Sequence, residues 1–113
     1  MNRLLLRTSG AAAVLIGLVH LGVGWGSHDR LTYDALWFAG SGLAVILIGA
    51  LTLLCSSERA WPALAAVGVA ANGAGLGLAI AFGVISGWTQ PQGPALGTIF
   101  TLGLIGCARA MKQ

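Results

Sequence analysis

Of the polar residues inside the apolar stretches of this chain, where a side chain has no water to satisfy its hydrogen bonds, five are the candidates for a site. Only one of the five, His20, exchanges a proton near neutral pH. It could accept a proton, ligate haem or a metal, or hydrogen-bond a quinone-like molecule. The others offer a hydroxyl or an amide, which can orient a ligand. They are Ser41, Asn72, Thr98 and Thr101.

Four long apolar segments must position these residues. The chain has 113 residues, of which 57% are hydrophobic and 8% charged, whereas a soluble domain carries about 25% charged residues. Its mean hydropathy is +0.87. We therefore predict an all-α polytopic membrane protein, in which residues 1–113 form one antiparallel bundle of four transmembrane helices. The predicted helices cover about residues 4–26, 35–55, 61–87 and 94–110.

Capping and proline signals set the helix starts. Thr32 or Asp34 can cap the second helix, and Pro62 suits the first turn of the third. Pro94 suits the start of the fourth, which otherwise begins earlier, at Pro91. Small residues recur every fourth position in the third helix and predict one close-packing face or, alternatively, an unwound section near a ligand. They are Gly75, Ala79, Gly83 and Gly87.

Basic residues are distributed unequally between the two sides of the predicted bundle. Arg30 alone lies on one side, and the other side carries Arg3, Arg7, Arg59, Arg109 and Lys112. The positive-inside rule then places both termini in the cytoplasm, and we expect a bacterial cytoplasmic (inner) membrane protein. A signal peptide cleaved after residues 24–26 is the alternative for the first segment. Scattered basic residues give no reason to expect nucleic acid as a partner.

The polar residues are expected to converge in the outer half of the bundle. His20 and Ser41 each lie about six residues from the outer helix ends, with Asn72 near the midplane. Thr98 and Thr101 lie in the outer half and middle of the fourth helix. Because polar groups are costly against lipid, we expect all five to face one pocket. Plain hydrogen bonding within and between helices is the alternative.

The first loop and its flank border this predicted pocket. Trp37 is expected at the entrance, and the loop contains the mixed-charge group His28, Asp29, Arg30 and Asp34. That spacing matches no specific metal pattern, so we predict a solvated loop and no metal site. Two axial haem ligands in one chain would need His20 and His28, whereas a dimer could supply one histidine per chain. The sequence therefore identifies no cofactor.

The sequence contains none of the common catalytic motifs and only two cysteines. It has no P-loop, no GxSxG, no HExxH and no dinucleotide-binding fingerprint, so we predict no catalytic residues and do not expect a standard enzyme. Cys55 and Cys107 show neither a CxxC nor a zinc spacing. We expect buried, inert thiols, because a disulfide would need an oxidising compartment.

The segment from Asp34 to Leu43, with the sequence DALWFAGSGL, follows a first helix that contains a histidine. In this it resembles a set of short bacterial integral membrane proteins described only as hypothetical. The resemblance covers about the first half of the chain and implies an inner-membrane protein without a stated activity. Small multidrug resistance transporters are similar in size only, since their membrane-embedded Glu is missing from helix one. Small fluoride channels are similar in size and Gly content, without their motifs.

Three functions fit these features. The leading hypothesis is binding or transport of a small hydrophobic or weakly basic molecule by the His20 pocket. The second is a structural or accessory subunit of a larger membrane complex, docked through small-residue faces. The third is an enzyme acting on a lipid-soluble substrate, with His20 as general base. We expect the lipid bilayer as a partner, and either a homo-oligomer or assembly into a membrane complex.

Overall fold

The computed structural model describes residues 1–57 and 61–112, which form four α-helices without any strand in those ranges. Each helix is long and apolar enough to cross a membrane. The predicted all-α class with four potential membrane spans is therefore confirmed. The helices are α1 (Asn2–Ser27), α2 (Tyr33–Leu54), α3 (Pro62–Ile85) and α4 (Gln92–Ala110). Of the sequence features used above, Arg59 lies outside the described residues.

The helix boundaries lie within two residues of the expected ones, and local features explain two of them. Helix α3 ends at Ile85 and not at Gly87, because Gly87 and Trp88 adopt left-handed φ angles of 61° and 59°. Their N–H groups donate to Val84 O and Gly83 O in a Schellman arrangement, which closes the helix. Helix α4 begins at Gln92, next to Pro91, as in the earlier of the two predicted starts.

Thr32 provides the side-chain cap of α2, because its Oγ1 accepts a hydrogen bond of 3.2 Å from the N–H of Ala35. We expect Thr32→Ala to lower the free energy of unfolding by about 1 kcal/mol, since this N–H loses its partner. Thr32→Ser, which keeps the hydroxyl, should stay close to the native value. Unfolding titrations with a denaturing detergent would compare the variants. Equal losses in both variants would contradict a capping role.

Helices α1 and α2 form a hairpin through glycines spaced seven residues apart on each helix. A Cβ at Gly10 would lie 2.9 Å from Gly49 O, and one at Gly17 would lie 2.8 Å from Gly42 O. The two backbones therefore touch at two levels. A seven-residue repeat is typical of helices that cross at a small angle with left-handed supercoiling.

Helices α3 and α4 form the second hairpin around the small-residue ladder. Gly75, Ala79 and Gly83 are buried, with the ring of Phe100 against Gly75 and the ring of Trp88 directly over Gly83. This part of the ladder confirms the expected close-packing face. Gly87, its fourth member, lies beyond the end of the helix.

The two hairpins meet mainly through α1 and α4, whereas α2 and α3 have little contact. Leu6 packs on Gly106, and the Nδ2 of Asn2 donates to Gly106 O at 3.2 Å. We call the end of the bundle that holds the start of α1, the end of α2, the start of α3 and the end of α4 the termini end, and the opposite end the loop end. All buried residues of α1 lie between Leu6 and Gly17, so its loop-end portion packs less completely.

Candidate functional site

His20 of α1 and Ser41 of α2 form a hydrogen-bonded pair in the loop half of the first hairpin. The Nε2 of His20 lies 3.0 Å from the Oγ of Ser41. The imidazole also stacks on Phe38, with ring centroids 3.8 Å apart and an angle of 11° between the planes. These three side chains constitute the candidate site, which we call the His20 site.

Glycines on both helices make room for these rings. A Cβ at Gly24 would lie 2.6 Å from the ring of Phe38, and one at Gly42 would lie 3.1 Å from Cδ2 of His20. Each ring therefore lies against a position without a side chain on the opposite helix. The seven-residue glycine spacing that joins the helices thus also creates the space for the site.

The hydrogen bonds of Ser41 determine which imidazole nitrogen carries the proton. The Ser41 hydroxyl donates its single hydrogen to Phe38 O, at 2.8 Å. We therefore assign its oxygen as the acceptor from His20, which places the ring hydrogen on Nε2. In the neutral ring Nδ1 then presents a lone pair, and within residues 1–57 and 61–112 no hydrogen bond to it is observed. The His20 site can accept one hydrogen bond from a ligand.

The His20 site is open at the side of the hairpin. His20 is half-buried and Ser41 is exposed. Both residues lie within candidate membrane spans. A polar pair at this position would face lipid in an isolated chain, which is unfavourable unless something else covers it.

His28 also belongs to the surroundings of the site. Its Nδ1 lies 3.0 Å from Gly24 O, and its ring is tilted by 46° against Phe38 with centroids 5.8 Å apart. Phe38 therefore contacts both histidines of the chain. The other predicted loop residues, Asp29 and Asp34, are exposed.

Phe38 is the site residue that the sequence analysis did not select. Trp37, which it did select, is 63% exposed and packs edge-on against Tyr33 with centroids 6.1 Å apart. The spacing of Phe38 and Ser41 contained the signal, because residues three apart share a helix face. Trp37 precedes Ser41 by four residues, a spacing that also shares a helix face, so spacing alone did not distinguish Phe38 from Trp37.

Asn72 lies in a separate polar cluster near the termini end. It is 1% exposed, and its Nδ2 donates to Thr52 Oγ1 and to Gly68 O, both at 2.9 Å. Thr52 follows Ser41 by eleven residues, a separation of about 16 Å along α2. The structure therefore does not bring Asn72 to His20. The polar partner that the sequence analysis missed here is Thr52.

Thr98 and Thr101 occupy a third place, a groove between α3 and α4. Each hydroxyl donates to its own helix at 2.8 Å, to Pro94 O and Gly97 O respectively. The groove has a volume of about 390 Å³ and is mainly apolar. The five expected pocket residues thus lie in three separate places, with only His20 and Ser41 in contact. Further groove residues include Leu76, Ile80, Trp88 and Leu102.

Metal coordination at these places would have few ligands. Within the described ranges, no three or more His, Cys, Asp and Glu side chains come together in a way that could hold a metal ion. The His20 site contributes a single available nitrogen. The chemistry that the site supports is hydrogen bonding and aromatic contact with a small molecule.

The chain was compared with known protein families, curated proteins and solved structures. No protein-family model, curated protein or solved structure matches the chain.

Proposed function

We propose that this protein is an integral membrane protein that binds small hydrophobic or weakly basic molecules at the His20 site. The observation that carries the proposal is the hydrogen-bonded His20–Ser41 pair, which is open to the side within two candidate membrane spans. A polar pair at membrane depth is a candidate binding site because lipid cannot satisfy its hydrogen bonds.

The unused Nδ1 lone pair defines the preferred ligand chemistry. It accepts a hydrogen bond, so the ligand must donate one through an N–H or an O–H group. A protonated lipophilic amine meets this requirement and also concentrates in the membrane. Such a ligand would reach the side opening of the site through the bilayer.

A matched pair of ligands tests this chemistry. A fluorescent tertiary amine is an N–H donor when protonated, whereas its N-methylated quaternary analogue has nearly the same shape and charge without a donor. We expect the purified protein in nanodiscs to bind the tertiary amine at least about tenfold more tightly, equivalent to about 1.4 kcal/mol. Fluorescence anisotropy at fixed pH would measure both dissociation constants.

Variants of His20 separate the contribution of the imidazole nitrogen to binding from that of the aromatic ring. His20→Phe keeps an aromatic ring to stack on Phe38 and should remove the difference between the two ligands. Thr8→Val is the matched control, because Thr8 is an exposed hydroxyl residue of α1 that bonds to its own helix. It lies twelve residues from His20 and should leave both constants unchanged. Equal affinities in the native protein, or an unchanged preference in His20→Phe, would disprove the proposal.

Transport and orientation are further parts of this proposal. We place the protein in the bacterial cytoplasmic membrane with both termini in the cytoplasm, because Arg3, Arg7, Arg109 and Lys112 lie at the termini end. A reporter enzyme that works only in the cytoplasm should therefore be active when fused to the C-terminus. A reporter that works only outside the cytoplasm should be inactive at the same position. In liposomes, accumulation of the tertiary amine that depends on His20 would demonstrate transport, and binding without accumulation would restrict the function to binding.

The two alternative functions have less support from the geometry. The ladder face of α3 packs against α4, so it is not available for docking a larger complex. An enzyme with His20 as general base would need an acidic partner for the imidazole. Among the described residues, the hydrogen-bond partners of the ring are Ser41 and the backbone of Phe38, and neither is acidic.

A further inference from the structure

The two cysteines come together at the termini end although 52 positions separate them in the sequence. Both are buried and free, with Cys55 3% and Cys107 0% exposed. Their sulfurs lie 2.9 and 2.7 Å from the position that a Cβ of Gly68 would occupy. The thiols are also within hydrogen-bonding reach of each other. Gly68 therefore leaves a space in α3 that both sulfurs approach.

We propose that Cys55 and Cys107 form a two-coordinate site for a soft monovalent cation, Cu(I). Thiolates are the ligands that Cu(I) prefers. Zinc in a structural site takes four protein ligands, and the described residues offer no cluster of even three donors. Cu(I) is stable between two thiolates alone. This proposal is independent of the His20 site and its ligand.

The binding reaction exchanges protons for the metal. One Cu(I) displaces the protons of both thiols and forms two Cu–S bonds, so two protons leave and neither copper nor sulfur changes its oxidation state. The complex has one negative charge. The Nδ2 of Asn72 lies 4.0 Å from the Sγ of Cys107, and one of the two hydrogens that it gives to Thr52 and Gly68 can be shared with the thiolate. Arg3, Arg7, Arg109 and Lys112 make the termini end positive and also favour this charge.

The position of the pair gives such a site a structural effect. Cys55 caps the end of α2 and Cys107 lies in the last turns of α4. A bound ion would therefore connect the first hairpin to the second one, where α2 and α3 have few contacts of their own. Binding should consequently stabilise the folded protein.

The test is an anaerobic titration of the reduced, detergent-solubilised protein with Cu(I), in competition with a colorimetric Cu(I) chelator. We expect one Cu(I) per chain and an X-ray absorption spectrum with two sulfur neighbours. Cys55→Ser and Cys107→Ser should each weaken binding at least about 100-fold, whereas Met111→Leu, which removes a nearby thioether, should bind normally. Circular dichroism would select variants that retain native helicity.

A second readout does not depend on variants. Because binding stabilises the folded protein, a saturating amount of Cu(I) should raise the midpoint of unfolding in a detergent titration of the native protein, and removal of the metal with a chelator should restore the metal-free midpoint. Binding that persists in either cysteine variant would overturn the proposal. A native protein that takes up no Cu(I), whether its thiols stay free or join as a disulfide with a mass about 2 Da lower, would overturn it as well.

Discussion

Replacing Gly49 by valine is expected to lower the free energy of unfolding by about 3 kcal/mol, at the upper end of the usual overpacking range. A Cβ at this position would lie 2.8 Å from both Gly10 O and Val14 N, and 2.9 Å from the Cβ of Ala13. Two of these three atoms belong to the backbone of α1, which cannot rotate away as a side chain can. Helix α2 must therefore move as a whole, and the contacts around it are lost.

Gly40→Val in the same helix is the matched control. Gly40 is exposed and, in the described part of the chain, has nothing within 4 Å of its Cβ position. This variant should stay within about 0.5 kcal/mol of the native protein. Both unfolding free energies can be measured by titration with a denaturing detergent, followed by circular dichroism. Similar losses in the two variants would show that α1 and α2 do not touch at Gly49.

Gly103→Ala is expected to destabilise the protein by about 2 kcal/mol, because the added methyl group meets the Asn72 side chain. The Cβ would overlap Oδ1 of Asn72 and lie 2.8 Å from its Cγ. The amide must then turn, which breaks its hydrogen bonds to Thr52 and Gly68 inside the bundle. A buried amide without its partners adds to the steric cost.

A double-mutant cycle identifies the cause of this loss. In an Asn72→Ala background the methyl group of Gly103→Ala has room, so the substitution should cost at least about 1 kcal/mol less than in the native protein. Gly97→Ala is the control in the same helix, because its Cβ would lie 3.9 Å from the nearest atom, Cδ1 of Leu76. It should be nearly neutral. Additive effects of the Gly103 and Asn72 substitutions would contradict their contact.

The sequence was sufficient to predict the helices because composition and hydropathy alone determine them. Four apolar runs, the Thr32 cap and Pro62 at the start of α3 all appear where local chemistry predicted them. Hairpin pairing between sequence neighbours also follows from short connections. Composition did not predict the last residue of α3, because it depends on the backbone conformation of Gly87 and Trp88.

The site was harder to predict because depth in the membrane does not specify direction around a helix. The sequence indicated correctly that His20 and Ser41 share a level, and they form a hydrogen bond. Asn72 and Thr98 were assigned to the same pocket by depth alone. Which residues Asn72 and Thr98 contact depends on the face that α3 and α4 turn toward the neighbouring helices. In a chain where nearly every face is apolar, the hydrophobic pattern contains little of that information.

Cys55 and Cys107 illustrate the same difficulty. The sequence predicted buried thiols, and both are buried. Their contact was not predictable, because it depends on how the end of the first hairpin packs on the second. Gly68 permits that contact, yet its sequence context does not distinguish it from the other glycines of α3.

In the proposed membrane setting, the unequal lengths of the four helices have a consequence for the bilayer. Helix α1 has 26 residues and α4 has 19, equivalent to about 39 Å and 28 Å of axis. A hydrocarbon layer of about 30 Å matches α4 standing upright, whereas α1 must tilt or extend into the headgroups. Since α1 and α4 pack together, the short α4 limits the bilayer thickness that the protein can match, so the protein should prefer thin membranes. In a thicker bilayer α4 should stand most nearly upright, and the lipid next to α4 should be thinned most.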